Sequence, residues 1–264
     1  MLRFYTAVAL TAFRRQLIYR WANLAGLLTN IFFGTIFSYV IIALYHARPL
    51  AAGYDVRDTL RYTWLMQAML MAVLPFGWQD LILTIRTGEV VADLSKPCDF
   101  YWYWFSREFG RAVYYLLFRC LPIYAAGMLL FEIGLPGDWH VWLIYGWTLS
   151  LGVMLGIAYR YLYNLVAFWI VEARAMVTFA QTIGLFFTGS YVPIPLFPTW
   201  LRTISDWLPF NGLMNIPTEV FLGKLSGTGL WFELGRQVLW LILLTFVVRA
   251  MTAIATRRVV AQGG

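Results

Sequence analysis

The chain has 264 residues, of which 61% are hydrophobic and only 12% charged. Soluble domains carry roughly a quarter charged residues, so the composition excludes a water-soluble globule and makes lipid the solvent for much of the surface. The net charge of +7 is then a topology signal, because Arg and Lys collect on the cytoplasmic side of membrane proteins; no nucleic-acid partner is expected.

Residues 1–22 read as an interfacial amphipathic helix. Arg3, Arg14 and Arg15 share a face with Thr11, while Leu2, Val8, Leu10, Phe13, Leu17 and Ile18 supply apolar surface. The competing reading is an ordinary lead-in to the first span. Arg14, Arg15 and Arg20 interrupt the first twenty residues, so a cleavable signal is not expected.

Trp21 to Ala47 contains no Asp, Glu, Lys or Arg. A span needs about 20 apolar residues, which predicts a first transmembrane helix at about 23–46, stopped by Arg48-Pro49 and Gly53. A second is expected at about 60–84, kinked at Pro75 because the ring removes a backbone donor. A polar island follows at 85–100. The run Tyr101-Trp102-Tyr103-Trp104-Phe105 is an aromatic cluster of the kind found at membrane interfaces.

The third span is expected at about 108–132, with Arg119 near its middle beside Cys120 and Pro122. The fourth begins at Trp139. Arg160 and Asn164 interrupt it, so it either continues to about 169 or ends near 160. The fifth is placed at 175–191. Residues 192–229 carry Pro193, Pro195, Pro198, Pro209 and Pro217 among apolar pairs, which predicts short re-entrant helices dipping into the outer interface. The sixth span is about 230–256, with Arg236 and Arg249 near its ends, where they can snorkel to the headgroups. The expected fold is all-α: one transmembrane domain of an interfacial helix plus six spans, with no internal repeat.

Six spans put both termini on one side. The loops on that side hold 13 Arg and Lys and the opposite loops 6. The positive-inside rule makes both termini and the polar island cytoplasmic, and puts 192–229 outside.

Candidate chemistry is sparse. Gly223-Lys224 is followed by Leu225, where a phosphate-binding P-loop needs Ser or Thr. No H-E-x-x-H motif exists, and Cys98 and Cys120 lack metal-ligand spacing. The histidines, His46 and His140, both fall at span ends on the expected outer side. Arg119 is a charge inside a span, and such charges face a partner or a watery cavity. It contacts an anionic substrate, or it pairs with a carboxylate or helix-end carbonyls. Gly152 and Gly156 form a GxxxG pair, for internal packing or for a dimer face. Asn30, Thr35, Ser38, Gln67, Gln181 and Thr188 are the uncharged polar residues of the spans. They line a substrate path or bond neighbouring helices. The spans lack internal carboxylates and inverted repeats, which argues against a proton-coupled secondary transporter.

Five features then combine. They are the N-terminal helix, the six spans, and the stretch Ile85–Pro97 with Gly88-Glu89-Val90 and Lys96-Pro97. The others are Gly189-Ser190-Tyr191-Val192-Pro193-Ile194-Pro195-Leu196-Phe197-Pro198, and Leu208-Pro209-Phe210 followed by Pro217 and Gly223. In that order the sequence resembles the ABC-2 type permeases of bacterial ABC exporters, nearest the viologen-exporter-like branch, over almost the whole chain. The resemblance implies a transport subunit in the bacterial inner membrane, not an enzyme. It binds no cofactor itself; ATP and Mg belong to a cytoplasmic ABC ATPase, in two copies. It further implies a second permease chain, identical or different, and a path between the first, second and fifth spans. Substrates of such exporters are amphipathic drugs, lipids or glycolipids.

The resemblance also implies that the loop after the second span docks on the ATPase through a short coupling helix, here about Thr87 to Leu94. In that reading Glu89 and Asp93 form an acidic edge, and Val90, Val91 and Leu94 plug an apolar groove, with Gly88 opening the turn. The alternative is an integral-membrane lipid-modifying enzyme using His46, His140 and the 192–229 segment.

Overall fold

Three aspartates start helices. Asp55 accepts the Asp58 N–H at 2.7 Å, Asp99 the Trp102 N–H at 3.0 Å and Asp138 the His140 N–H at 2.9 Å. Each satisfies a backbone donor that the first turn leaves open. The computed structural model describes residues 1–47, 50, 52–75, 80–170 and 172–258. The Arg48-Pro49 stop, 76–79 of the second expected span and the final residues 259–264 lie outside the described residues.

The elements are α1 (Leu2–Ile18), α2 (Arg20–Ala47), α3 (Val56–Val73), α4 (Asp80–Arg86), α5 (Val90–Leu94) and α6 (Phe100–Tyr115). A single π turn, Leu116–Cys120, joins α6 to α7 (Leu121–Phe131). Then come α8 (Trp139–Asn164), α9 (Arg174–Phe187), α10 (Thr199–Trp207), α11 (Asn211–Phe221) and α12 (Gly227–Ala255). Among the described residues, four stretches are long and apolar enough to cross a membrane: Arg20–His46, Phe100–Phe131, Trp139–Phe168 and Gly227–Arg258. The protein is an all-α, multi-span membrane bundle.

Several boundaries differ from expectation. The second span is not one kinked helix over the described residues. α3 stops at Leu74, whose backbone turns out of the helical region ahead of Pro75 (φ −132°, ψ 67°), and α4 begins at Asp80. A proline disfavours helical backbone in the residue before it. The fifth element, α9, has 14 residues, about 21 Å at 1.5 Å per residue, short of a hydrocarbon core of about 30 Å. The third begins at Phe100 rather than 108. Its aromatic run is therefore helical, with Tyr101 and Trp104 buried. Pro122 offers no N–H to the Phe118 carbonyl and its ring crowds that group, and the chain takes the wider π turn just before it.

The fourth element stays helical to Asn164 and closes with a 3-10 turn, Leu165–Phe168, which selects the long-helix alternative. α11 departs most from the expected interfacial dip. Every residue of it except Glu219 is buried, wedged against α3, α8 and α12. The GxxxG pair explains how it fits. A Cβ on Gly152 would strike the Leu213 carbonyl of α11, and one on Gly156 would lie 2.5 Å from the Val73 carbonyl oxygen of α3. Both glycines pack inside the bundle, so they do not form a dimer face. Arg236 and Arg249 pair with Glu233 and Asp99 respectively, the latter at 3.2 Å.

Trp64, fully buried on α3, joins three helices. Its Nε1 donates to Ser38 Oγ on α2 at 2.9 Å, and its ring fills the space over Gly34 of α2 and Gly127 of α7. At the opposite end of α2, Asn23 donates to the Gln16 carbonyl at 3.0 Å and to the Tyr114 hydroxyl at 3.1 Å, tying the α1–α2 corner to α6. Between lipid-immersed helices, close packing and such bonds replace the hydrophobic effect as the cohesive force.

Gly156→Ala should cost about 1–3 kcal/mol through overpacking, read as a lower melting temperature in detergent micelles. Gly146→Ala is the control, because its Cβ would meet nothing within 4 Å. Equal melting temperatures for the two variants would contradict the packing described.

Candidate functional site

The polar island folds into a clamp. Thr87, Gly88 and Glu89 make the turn between α4 and α5, and Gly88 takes φ +78°, which favours glycine. α5 itself is short, Val90–Leu94. Val90 is 3% exposed and belongs to the chain's own core, and Leu94 packs partly against it. Asp93 is buried and accepts from Lys96 Nζ at 2.5 Å. Lys96 also donates to the Tyr103 hydroxyl at 2.9 Å and sits 4.1 Å from its ring centroid. Burial alone would lower the Lys96 pKa; its hydrogen bonds to Asp93 and Tyr103 outweigh that and raise it. The side chains left facing outward are Glu89, Val91 and Ala92, with Val91 42% exposed. Asp93, Val90 and much of Leu94 therefore hold the segment in shape, while Gly88, Glu89 and Val91 present it.

Ion pairs fasten this clamp to the bundle. Arg86 meets Glu172 at 2.9 Å, and Asp80 meets Arg107 of α6 at 2.8 Å. Next to Arg107, Glu108 of α6 is 3% exposed, pairs with Arg111 and lies 3.5 Å from Arg160 of α8. Arg160 is 1% exposed. Beside them Ile82 of α4 packs with Tyr163, Ala167, Ala173 and Val177, joining α4 to the end of α8 and the start of α9. Sequence reasoning treated Arg160 as an interruption of the fourth span and did not single out Glu108. Opposite charges in flanking apolar runs were the available signal that they face each other.

A second feature lies between α2, α3 and the end of α9. It is a largely apolar cavity of about 350 Å³ lined by Thr29, Asn30, Phe33, Phe37, Met66, Gln67, Leu70, Leu185, Ser190 and Tyr191. Asn30 and Gln67, named from the sequence, meet here, with Asn30 Nδ2 donating to the Gln67 carbonyl at 3.1 Å. Thr188 lies behind the wall, bonded to the Leu185 carbonyl and 2.9 Å from the Ser190 hydroxyl. Ser38 and Gln181 are not in the lining. Ser38 donates to the Gly34 carbonyl at 2.8 Å, and Gln181 to the Pro75 carbonyl at 3.0 Å. The aromatic and aliphatic lining was invisible in sequence, because Phe33, Phe37, Met66 and Leu70 look like any span residue.

The remaining candidates separate. Arg119 lies in the π turn and is 4% exposed. Among the described residues no carboxylate pairs with it; its neighbours are Gly26 and the Tyr115 ring at 5.6 Å. His140 Nδ1 is 2.9 Å from Asp138 Oδ1 and its ring stacks on Trp139, while His46 is an exposed residue at the end of α2. Among the described residues no group of three or more metal-binding side chains occurs.

Comparison with known proteins agrees with this architecture. The family described as "ABC-2 family transporter protein" matches residues 29–263. No curated protein and no solved structure gives a significant match. A match over nearly the whole chain, on a multi-span helical bundle, means that the chain belongs to the ABC-2 family of membrane transporter proteins.

Proposed function

We propose that the chain is the membrane subunit of an exporter driven by a separate cytoplasmic ATPase. The observation that carries this reading is the clamp at Gly88–Leu94. A presented edge of Glu89 and Val91 projects from a turn flanked by Arg86, paired with Glu172, and by Val90, buried in the core. A partner that pushes on this edge moves α4, and α4 moves α6, α8 and α9 through Asp80–Arg107 and the Ile82 cluster.

In this reading both termini and α5 face the cytoplasm of a bacterial cell, and two ATPase copies bind ATP and Mg. Six membrane crossings include the broken α3–α4 pair and the short α9. A second permease chain completes the path, which starts at the cavity between α2, α3 and α9. Its largely apolar lining with a few amide groups suits amphipathic cargo such as a drug, lipid or glycolipid.

Two measurements test the docking and the transmission. Glu89→Ala combined with Val91→Asp should reduce the soluble Walker-A ATPase that copurifies from native membranes at least tenfold, with the melting temperature unchanged. Unchanged copurification would remove the docking assignment. Glu108→Gln removes the carboxylate that faces both Arg111 and Arg160, and breaking a buried ion pair costs about 3–5 kcal/mol. The substitution should keep the ATPase bound, because α5 is untouched, and lower ATP-driven efflux of a fluorescent amphipath at least tenfold. Normal efflux in this variant would show that the cluster does not transmit motion.

A further inference from the structure

Arg119 is used neither by the clamp nor by the core. Its Nε is enclosed without a hydrogen-bond partner, and no ion pair neutralises it among the described residues. An unpaired cation inside a membrane bundle is costly, and such residues mark substrate or ion pathways. The π turn that carries it is also a motif common at functional sites.

The position of its guanidinium is informative. A Cβ on Gly26 would lie 2.6 Å from an Arg119 terminal nitrogen, so the guanidinium rests directly on α2 at a residue with no side chain. Gly26 shares a stripe with Asn30, Phe33 and Phe37, because at about 100° per residue all four fall within about 60° of one another. Those three residues line the cavity. Gly26 is one turn, about 6 Å, from Asn30, toward the end of the bundle that carries α5. The Arg119 guanidinium thus sits against α2 one turn from the cavity lining, on the stripe that carries Asn30, Phe33 and Phe37.

We propose that the cavity takes amphipaths with an anionic head group, a phosphate, sulfate or carboxylate on an apolar chain, and that Arg119 binds the head. The head lies at Gly26 and the apolar chain runs along Phe33, Phe37, Met66 and Leu70. This deepens the path reading given above and rests on it.

The test uses the purified full-length chain in phosphatidylcholine nanodiscs. Two probes are compared by energy transfer from tryptophan: a dansyl-labelled dodecyl phosphate and the matching dansyl-labelled dodecanol. The phosphate should bind saturably and at least tenfold tighter than the alcohol. Arg119→Gln should bring the two within twofold of each other by weakening only the phosphate. Gly26→Ala should do the same by displacing the guanidinium with the charge retained, and it serves if Arg119→Gln fails to fold. Arg119→Lys should keep part of the preference.

A preference that survives both Arg119→Gln and Gly26→Ala overturns the inference. Equal binding of both probes to the wild type overturns the anionic inference alone. Saturable binding of neither overturns the cavity reading as well. Replacing part of the phosphatidylcholine with phosphatidylglycerol identifies the source of the anion. Competition assigns the site to a bilayer lipid head group and its absence to a free amphipath, and either result upholds an anionic site.

Discussion

Glu108 sits where a carboxylate can exist only if it is answered. It is 3% exposed, and it is answered twice, by Arg111 on its own helix and by Arg160 on α8. In surroundings of low dielectric, removing one partner of such a set leaves an uncompensated charge, which costs far more than an exposed pair is worth. The three groups therefore fix α6 against α8 at one end of the bundle. Asp80–Arg107 lies next to them on the same stretch of α6 and adds α4. The polar island inherits its position from this arrangement. It is tied to the helices by the Arg86–Glu172 and Asp80–Arg107 pairs and by burial of Val90.

At the other end of α2 and α3 the constraint is steric. Trp64 occupies the room left by Gly34 and Gly127 and holds α2, α3 and α7 at a fixed separation. Gly152 and Gly156 let α8 approach α11 and α3 backbone to backbone. Tightly packed helices transmit displacement as rigid bodies. The cavity beside Asn30 and Gln67 lies between α2, α3 and the end of α9. Its walls thus come from helices tied to the clamp at one end and to the Trp64 contact at the other. In the proposed mechanism, a push on α5 reaches these helices through the Asp80–Arg107 pair and the Ile82 cluster.

Much of the architecture was legible because lipid imposes simple rules on sequence. The uncharged run in α2 and the turn before Trp139 read directly as membrane elements. Pro75 was read as a kink, whereas the structure shows a helix end, because the restriction on Leu74 outweighed helical continuity. Residues 211–221 are more enclosed than their sequence suggested, for a different reason. Their apolar, proline-broken texture is shared by interfacial and fully enclosed helices, and only the glycines opposite them on α8 decide between the two. Asn30 and Gln67 could be named as path candidates from polarity alone. Ser38 and Gln181 carry the same signal yet lie outside the cavity lining, bonded to the Gly34 and Pro75 carbonyls, because polarity says nothing about which neighbour a side chain meets. The α5 segment shows the same limit. Its composition suggested an acidic edge of Glu89 and Asp93, yet Lys96 three residues on binds Asp93 and leaves Glu89 as the presented charge.

The central claim is that a soluble motor engages the presented edge of α5. The most direct measurement places a photo-crosslinking amino acid at Val91, and in parallel at the exposed Trp139 on the other end of the bundle, in cells expressing the chain. The account predicts a single major adduct from position 91 with a soluble protein carrying a Walker A motif, and none from position 139. Adducts from position 91 that contain only lipid or the chain itself would contradict it.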